Sequence, residues 1–502
     1  MLAVACSAVD AESGHLGTPA EPGADTDASP QAYEVDAPSG REYGIRVASP
    51  LGFGSPPGAV PVLGHFPAYA RDPLGFVSRV SAEYGGIVPF RLGPFPALLL
   101  TDPDAIEEVL VARSRDFRKS RAAGRVGVVV GNGLLLSEGE TWRAHRRVVQ
   151  PAFQHDRVAA WGETMVREAE AFMSGWHDGE VRDIHSDMAA LTLSIVARTL
   201  LDSHLEQRDI EAVRRSATIL TDHFDSRFNS LAFFVPDWLP TPGNARMRLA
   251  VRRLDRIVYR LIAIRRATDS RGGDAISMLL EASAAEATPL TDRELRDEVM
   301  TLFMAGHETT AVALAWSIYL LTENPEATAA LQTELAEVLG GSLPTVADLP
   351  RLRYTEAVVF EALRLYPPAY VLSREAIRPT TVAGRALPKG GIAFISVWAT
   401  HRRPDLFEAP SMFRPERWLD GLARRLPRGA YLPFADGPRK CIGASFAMQE
   451  TVLVLATIAR RFSLKPPAAQ AIRPRAAVTL RPAEPIWLAV QARAVPSEVA
   501  GA

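Results

Sequence analysis

Lysine is almost missing from this sequence. Of its 56 basic residues only Lys119, Lys389, Lys440 and Lys465 are lysines, and the other 52 are arginines, a bias of GC-rich coding rather than of chemistry. Cysteine is scarcer still: Cys6 and Cys441 are the only two in 502 residues. Two thiols cannot build a disulfide framework, so a reducing, cytoplasmic compartment is expected. No C-x-x-C or Cys/His spacing for zinc exists, and one thiol cannot hold an iron–sulfur cluster. There is no excess of charge of either sign, the net charge being −2, so nothing global points to nucleic acid or an anionic membrane. No run of about 20 apolar residues is present, which argues against a membrane span. The opening MLAVACSAV carries no basic residue before Asp10, so a signal peptide is not expected.

What is present is ordinary globular composition, 47% hydrophobic and 23% charged. Residues 1–48 are rich in Ala, Gly, Pro, Ser, Asp and Glu, with too few large apolar side chains to offset ordering entropy, and read as a disordered tail. Residues 49–490 contain no linker of similar composition and no repeat, so they read as one large domain, with 491–502 a short C-terminal tail. Helical patterns dominate. The clearest opens at Thr291 with Glu294 three residues on, a capping box, and runs to Asn324-Pro325. About 33 residues at 1.5 Å give roughly 50 Å, long enough to cross the domain. Strand signals are short: IVPFRLGPFPALLLTD reads as one hairpin and TTVAGRALPKGGIAFISV as another. The fold class is mainly α with small β-sheets.

Cys441 sits in FADGPRKCIG, Phe434 to Gly443, a loop of Gly, Pro and basic residues rather than an apolar setting. Arg439 and Lys440 favour a thiolate, and the helical run that follows places the thiol at a helix N-terminus, where negative charge is favoured. A haem needs only one protein ligand. On local chemistry a reactive or ligating thiol and an inert one stand level. Midway along the long helix is AGHETT, Ala305 to Thr310. Leu302, Gly306, Thr309 and Ala313 share one helical face, with a gap at Gly306 and a hydroxyl at Thr309 that is expected to bond back to its own helix. Glu308 is placed to pass protons inward. Taken alone, these residues fit a Gly/Thr helix crossing better than a reaction site. EALR sets Glu361 and Arg364 three apart on a helix, by itself an ordinary surface pair. In WRAHRR, Trp142 and Arg146 point the same way.

Together these motifs resemble the cytochrome P-450 family. Phe434, Gly437, Arg439, Cys441 and Gly443 match its haem-binding signature F-x-x-G-x-R-x-C-x-G. Glu308-Thr309 matches its acid–alcohol pair, Glu361 and Arg364 its E-x-x-R, and Trp142 and Arg146 its W-x-x-x-R, in the expected order over roughly residues 50–490. The resemblance implies a soluble, bacterial haem-thiolate monooxygenase of the cytochrome P-450 fold. It implies haem b with Cys441 as axial thiolate, and Trp142, Arg146, Arg374 and Arg439 at the haem propionates. Glu308 and Thr309 become the oxygen-activating proton relay. Arg417, from FRPERW, is expected to complete a structural triad with Glu361 and Arg364. Here PERW replaces the commoner P-E-R-F, which reads as a mild variant.

By family position the substrate pocket is lined by residues 123–136, 228–240, the Gly306 face and Ala369 to Leu372. These are apolar stretches that favour a lipophilic terpenoid or fatty-acid-like molecule, oxidised with O₂. With no flavin or ferredoxin module in sight, electrons are expected from a ferredoxin and an NAD(P)H ferredoxin reductase. The expected docking patch comprises Arg143, Arg147, Arg424, Arg425, Arg428 and Lys440. A monomer is expected, without nucleic acid. The competing classes are a haem-thiolate isomerase, dehydratase or peroxide user, for which the acid–alcohol pair is typically lost, and a non-catalytic haem sensor, for which no output domain is visible.

Overall fold

The computed structural model describes residues 55–201, 207–228, 235–267, 274–286 and 288–493, all inside one unit that runs from Gly44 to Ala502. The disordered-tail reading of 1–48, Cys6, most of the C-terminal tail and the 229–234 part of the expected pocket lining lie outside the described residues.

The long helix spans Asp292–Glu323 and opens as its first letters require. Thr291 Oγ1 accepts from the Glu294 N–H at 3.3 Å, and the Glu294 carboxylate accepts from the Thr291 N–H at 2.9 Å. Asn324 ends it and Pro325 starts the next helix, Pro325–Leu339. From Thr310 to Leu321 every residue is buried, on all faces. A helix apolar all round must run through a core, and this one does. Ile184–Val196, Pro242–Ala267, Arg353–Leu365 and Ala444–Arg461 all pack against it. Trp316 anchors the crossing. It is fully buried, stacks on Tyr366 at 3.9 Å between ring centroids, and donates to the Leu480 carbonyl at 2.9 Å. Met165, Met188, Leu191, Leu314 and Ile458 belong to the same core, each burial contributing about 1.5–3 kcal/mol before entropy is charged.

The sheet has five strands: β1 Ile87–Leu92, β2 Phe95–Leu100, β3 Phe117–Lys119, β4 Val371–Ala376 and β5 Ile392–Ser396. They lie in the order β1-β2-β5-β4-β3. β1 and β2 form the expected hairpin around Gly93, whose φ of +62° suits glycine. The second hairpin is shorter than expected. Thr380–Val382 pairs with Arg385–Leu387, but Ile392–Ser396 leaves it and runs parallel to β2 and antiparallel to β4. Every residue of β5 is buried, so it takes a central place in the larger sheet rather than a hairpin edge. β4 carries Ser373, Arg374 and Glu375 in mid-strand, too polar to read as a strand, and pairs with β3 so that Lys119 stands opposite Arg374. Among the described residues no helix is long and apolar enough to cross a membrane.

Candidate active site

The loop before Ala444–Arg461 is folded by its own backbone. The Cys441 N–H donates to the Phe434 carbonyl at 2.9 Å and the Lys440 N–H to that of Gly437 at 3.0 Å. Gly437 has φ +71°, and a Cβ there would lie 2.0 Å from the Leu110 carbonyl oxygen. Its requirement for glycine thus comes from the backbone of Glu108–Ala112 behind the loop. Gly443 is different: a Cβ would meet only Phe153, at 3.7 Å, so nothing in the chain's own packing demands glycine. Cys441 is a free thiol open to accessible space. Dense protein on its other sides raises its pKa above the ordinary range, while the Gly443 N–H and the charges of Arg146, Lys119 and Lys440 pull it down.

Four of the expected cofactor contacts gather around this thiol. Arg146 donates to the Lys440 carbonyl at 3.0 Å. The Arg439 guanidinium lies 4.3 Å from the Trp142 ring centroid, a cation–π contact, donates to the Ser137 carbonyl at 2.7 Å and pairs with Glu138. Arg374, 7% exposed, has only its neighbour Ser373's carbonyl as acceptor, at 3.0 Å, and no carboxylate within ion-pair distance among the described residues. Burial, then Arg439, push its pKa down to about 10. Lys119, opposite it, is driven to about 7 by burial and by Arg374 and Arg439. Like charges facing each other across two strands are unfavourable. Three cations thus share the single carboxylate of Glu138, and the site lacks anions. The residue that sequence reasoning missed is Lys119; its signal was its rarity.

Within the long helix, Ala305 is exposed in a stretch otherwise buried or half-buried, and the half-buried Thr309 lies one turn on. The Thr309 hydroxyl donates to the Ala305 carbonyl at 2.7 Å. The open face is therefore Ala305–Thr309. Gly306 points elsewhere: a Cβ there would sit 3.2 Å from Val196, so its missing side chain admits the neighbouring helix, and the Gly306 face expected from the sequence is corrected by one residue. Glu308 accepts from Thr479 at 3.2 Å, and its charge acts on His185 and Asp225. Asp225 is paired with Arg481. A polar strip thus leads away from the helix at this point. His307 is buried, and its Nδ1 donates to the Phe303 carbonyl, 3.1 Å away. Among the described residues, no hydrogen bond or ion pair joins Glu308 or Thr309 to the Cys441 loop.

The loop of 127–136 is tied to the start of the long helix. Asp297 accepts from the Asn132 N–H at 2.9 Å and Glu298 from the Leu134 N–H at 3.1 Å. Buried His145 contacts Glu298 at 2.6 Å. The Glu298 hydrogen bond raises the His145 pKa, so the pair adds stability fully below about 6.5, the free-histidine value, and loses it as pH rises through the raised value. The urea midpoint of the parent is expected to fall across that window, and that of E298Q to stay flatter; equal slopes would show the pair uncharged.

Glu361 is wholly buried, with Arg364 equally so. Its two oxygens accept from Arg364 Nε and an Arg364 terminal nitrogen (2.9 and 2.8 Å), Arg417 Nε (3.0 Å), the Arg414 N–H (3.0 Å) and Trp418 Nε1 (2.9 Å). The last was not foreseen: tryptophan in PERW supplies a hydrogen bond that phenylalanine cannot. The expected basic patch is less free than its sequence implied. Arg147 pairs with Glu286 at 2.7 and 3.0 Å, Arg428 with Asp436 at 2.6 and 3.1 Å, and Arg143 with Glu140.

A helix-rich fold with one loop-borne thiol at a helix start, walled by cations that outnumber the carboxylates beside them, defines a thiolate-ligand site for an anionic cofactor. The chain belongs to the cytochrome P450 family, whose model matches residues 55–489. It is 39% identical over 414 residues to cyclooctat-9-en-7-ol 5-monooxygenase of Streptomyces melanosporofaciens, covering 82% of this chain and 90% of that protein. It is 39% identical to cyclooctatin synthase of the same organism over 427 residues (84% and 92%) and 35% identical to pentalenene oxygenase of Streptomyces avermitilis over 433 residues (85% and 94%). The family binds haem through an axial cysteine thiolate. The residues here fit that group: Cys441 is the open thiol, and two propionates would supply the anions that Lys119 and Arg374 lack and that Arg439 has only in Glu138.

Proposed function

We propose that this chain is a monooxygenase that oxidises a C–H bond of a cyclic terpenoid, with Glu308 and Thr309 handling protons and Cys441 holding the haem iron. The observation that carries the reading is the Ala305–Thr309 opening in a stretch of helix otherwise buried or half-buried, with Glu308 beside it on a polar strip. Bound haem supplies O₂ activation, which thiolate donation favours. The chain's own part is to hold a hydroxyl at the open face and a carboxylate behind it. Thr309 presents a proton at Oγ1, and Glu308, fed from the Thr479–Asp225–His185 side, restores it. The acid–alcohol pair favours this over the isomerase, dehydratase or peroxide-using alternative. The terpenoid choice rests on the substrates named for the three relatives and on the apolar Val128–Val130 and Leu134–Leu136 loop.

The test is T309A. NAD(P)H consumption is expected to continue while product per reducing equivalent falls at least about tenfold, the low end of a lost acid–base group, and hydrogen peroxide rises. Unchanged coupling would remove Thr309 from the mechanism. Titration with pentalenene or cyclooctat-9-en-7-ol checks the substrate class, through a haem spin-state shift.

Electrons come from a ferredoxin and its NAD(P)H reductase, docking on the face that carries Arg143, Arg147, Arg424 and Lys440; the enzyme works as a cytoplasmic monomer. The double variant R143E/R147E is expected to slow ferredoxin reduction and flatten its salt dependence. Rates equal to the parent's at every salt concentration would place the docking face elsewhere.

A further inference from the structure

Glu450 is used by nothing described so far. It lies on Ala444–Arg461, the helix that follows Cys441, and is fully buried. Neither of its oxygens has a hydrogen-bond partner among the described residues, and its neighbours along the helix, Val452 to Leu455, are core side chains. The polar group beside it is Thr310, on the long helix. Of the ionisable groups on the packed helices, Glu308 is engaged with Thr479, His307 with the Phe303 carbonyl, Glu361 with its arginines, and Glu170 with Arg460 and Arg461, while Glu356 faces the charges of Arg353 and Glu334.

An ionised carboxylate needs donors, and among the described residues neither oxygen receives one. The Thr310 proton is committed to the Gly306 carbonyl, 3.0 Å away. A neutral carboxylic acid brings its own O–H, and the lone pairs of Thr310 Oγ1 remain open to it. Burial without a countercharge raises the Glu450 pKa well above the usual carboxylate range, outweighing a smaller opposing pull from Thr310.

We propose that Glu450 is a neutral carboxylic acid donating to Thr310, and that the chain Glu450–Thr310–Gly306 is a positioning element for the turn that carries Ala305 and Thr309. That turn needs support. Gly306 weakens it, and Thr309 and Thr310 bond back to consecutive carbonyls, Ala305 and Gly306, which loosens a helix. A donor behind Thr310 strengthens its bond to Gly306 and fixes the angle at which Thr309 meets the open face. The positioning role rests on the reading of Thr309 above; the protonation state does not.

The experiment is infrared difference spectroscopy of the ferric holoenzyme against E450Q at neutral pH, in H₂O and D₂O. A carboxylic-acid C=O band above the amide I region is expected to vanish in E450Q, to move down in D₂O, and to move up in T310V as its acceptor is lost. Carboxylate bands lost instead would overturn the neutral acid, and a band indifferent to T310V would overturn the chain. In turnover, E450Q is expected to keep coupling within about twofold of the parent, while E450L loses about tenfold, the worth of one buried hydrogen bond. Equal coupling in E450L and E450Q would reduce Glu450 to a space-filler. Should E450L fail to fold, E450Q and T310V still decide the matter by the band. A T309A variant with unchanged coupling would refute the Thr309 reading while leaving the band in place.

Discussion

Replacing Glu361 with alanine is expected to cost about 3–5 kcal/mol, the usual result of leaving buried charges without their partner. Total stability is about 5–15 kcal/mol, so the variant should accumulate poorly, unfold at much lower urea and take up little haem. The geometry gives the reason. Arg364 and Arg417, 0% and 6% exposed, both lose the one carboxylate that pairs with them among the described residues. Arg364 is fixed in place by the carbonyls of His401, Pro410 and Met412 at 2.9, 2.7 and 3.0 Å and cannot turn to water. Those carbonyls belong to the chain that returns toward the Cys441 loop, so the damage spreads to the ligand. W418F is the graded companion. It keeps an aromatic ring but removes one donor to a charged acceptor, and is expected to cost about 1.5–3 kcal/mol. Urea midpoints measure both. An E361A variant within about 1 kcal/mol of the parent would contradict a structural role for the cluster.

The second large effect is C441S. Serine matches cysteine closely in shape, and the loop bonds from Cys441 N–H to Phe434 and from Lys440 N–H to Gly437 are made by the backbone, so the loop should keep its fold. What goes is the ionisable sulfur. A hydroxyl is far less acidic than a thiol and far poorer at ligating iron as the anion. Monooxygenase turnover is expected to fall at least about a thousandfold, a small part of what enzymes supply over solution, while urea stability of the haem-free protein changes by less than about 1 kcal/mol. Retained turnover with serine would remove Cys441 from the chemistry.

The parts of this structure legible in the sequence are those fixed by neighbours in the chain. The long helix announced both its ends, because Thr291, Glu294 and Asn324-Pro325 act locally. The Phe434–Gly443 loop was legible because its spacing is rigid and its cysteine rare. What stayed hidden depends on partners distant in sequence. Helical phase placed Gly306 and Thr309 on one face, but only the position of Val196 decides that Gly306 receives a helix while Ala305 is left open. β4 was invisible because Ser373-Arg374-Glu375 has no apolar alternation; it is a strand because β3 and β5 supply its partners. Trp418 looked like a harmless replacement until Glu361 appeared within 2.9 Å of its indole nitrogen. The charges of the expected docking face were counted, but Glu286, which neutralises Arg147, lies 139 residues away, while Asp436, which neutralises Arg428, stood in plain view in the Phe434–Gly443 loop.

The measurement that tests the account most directly is the carbon monoxide difference spectrum of the reduced, haem-loaded protein, taken for the parent and for C441S. A Soret band at the position that gives the cytochrome P450 family its name, present in the parent and displaced to that of an ordinary haem in C441S, is the predicted result. A parent without that band, or a C441S variant that keeps it, would contradict the assignment of Cys441 as the thiolate ligand and the reading built on it.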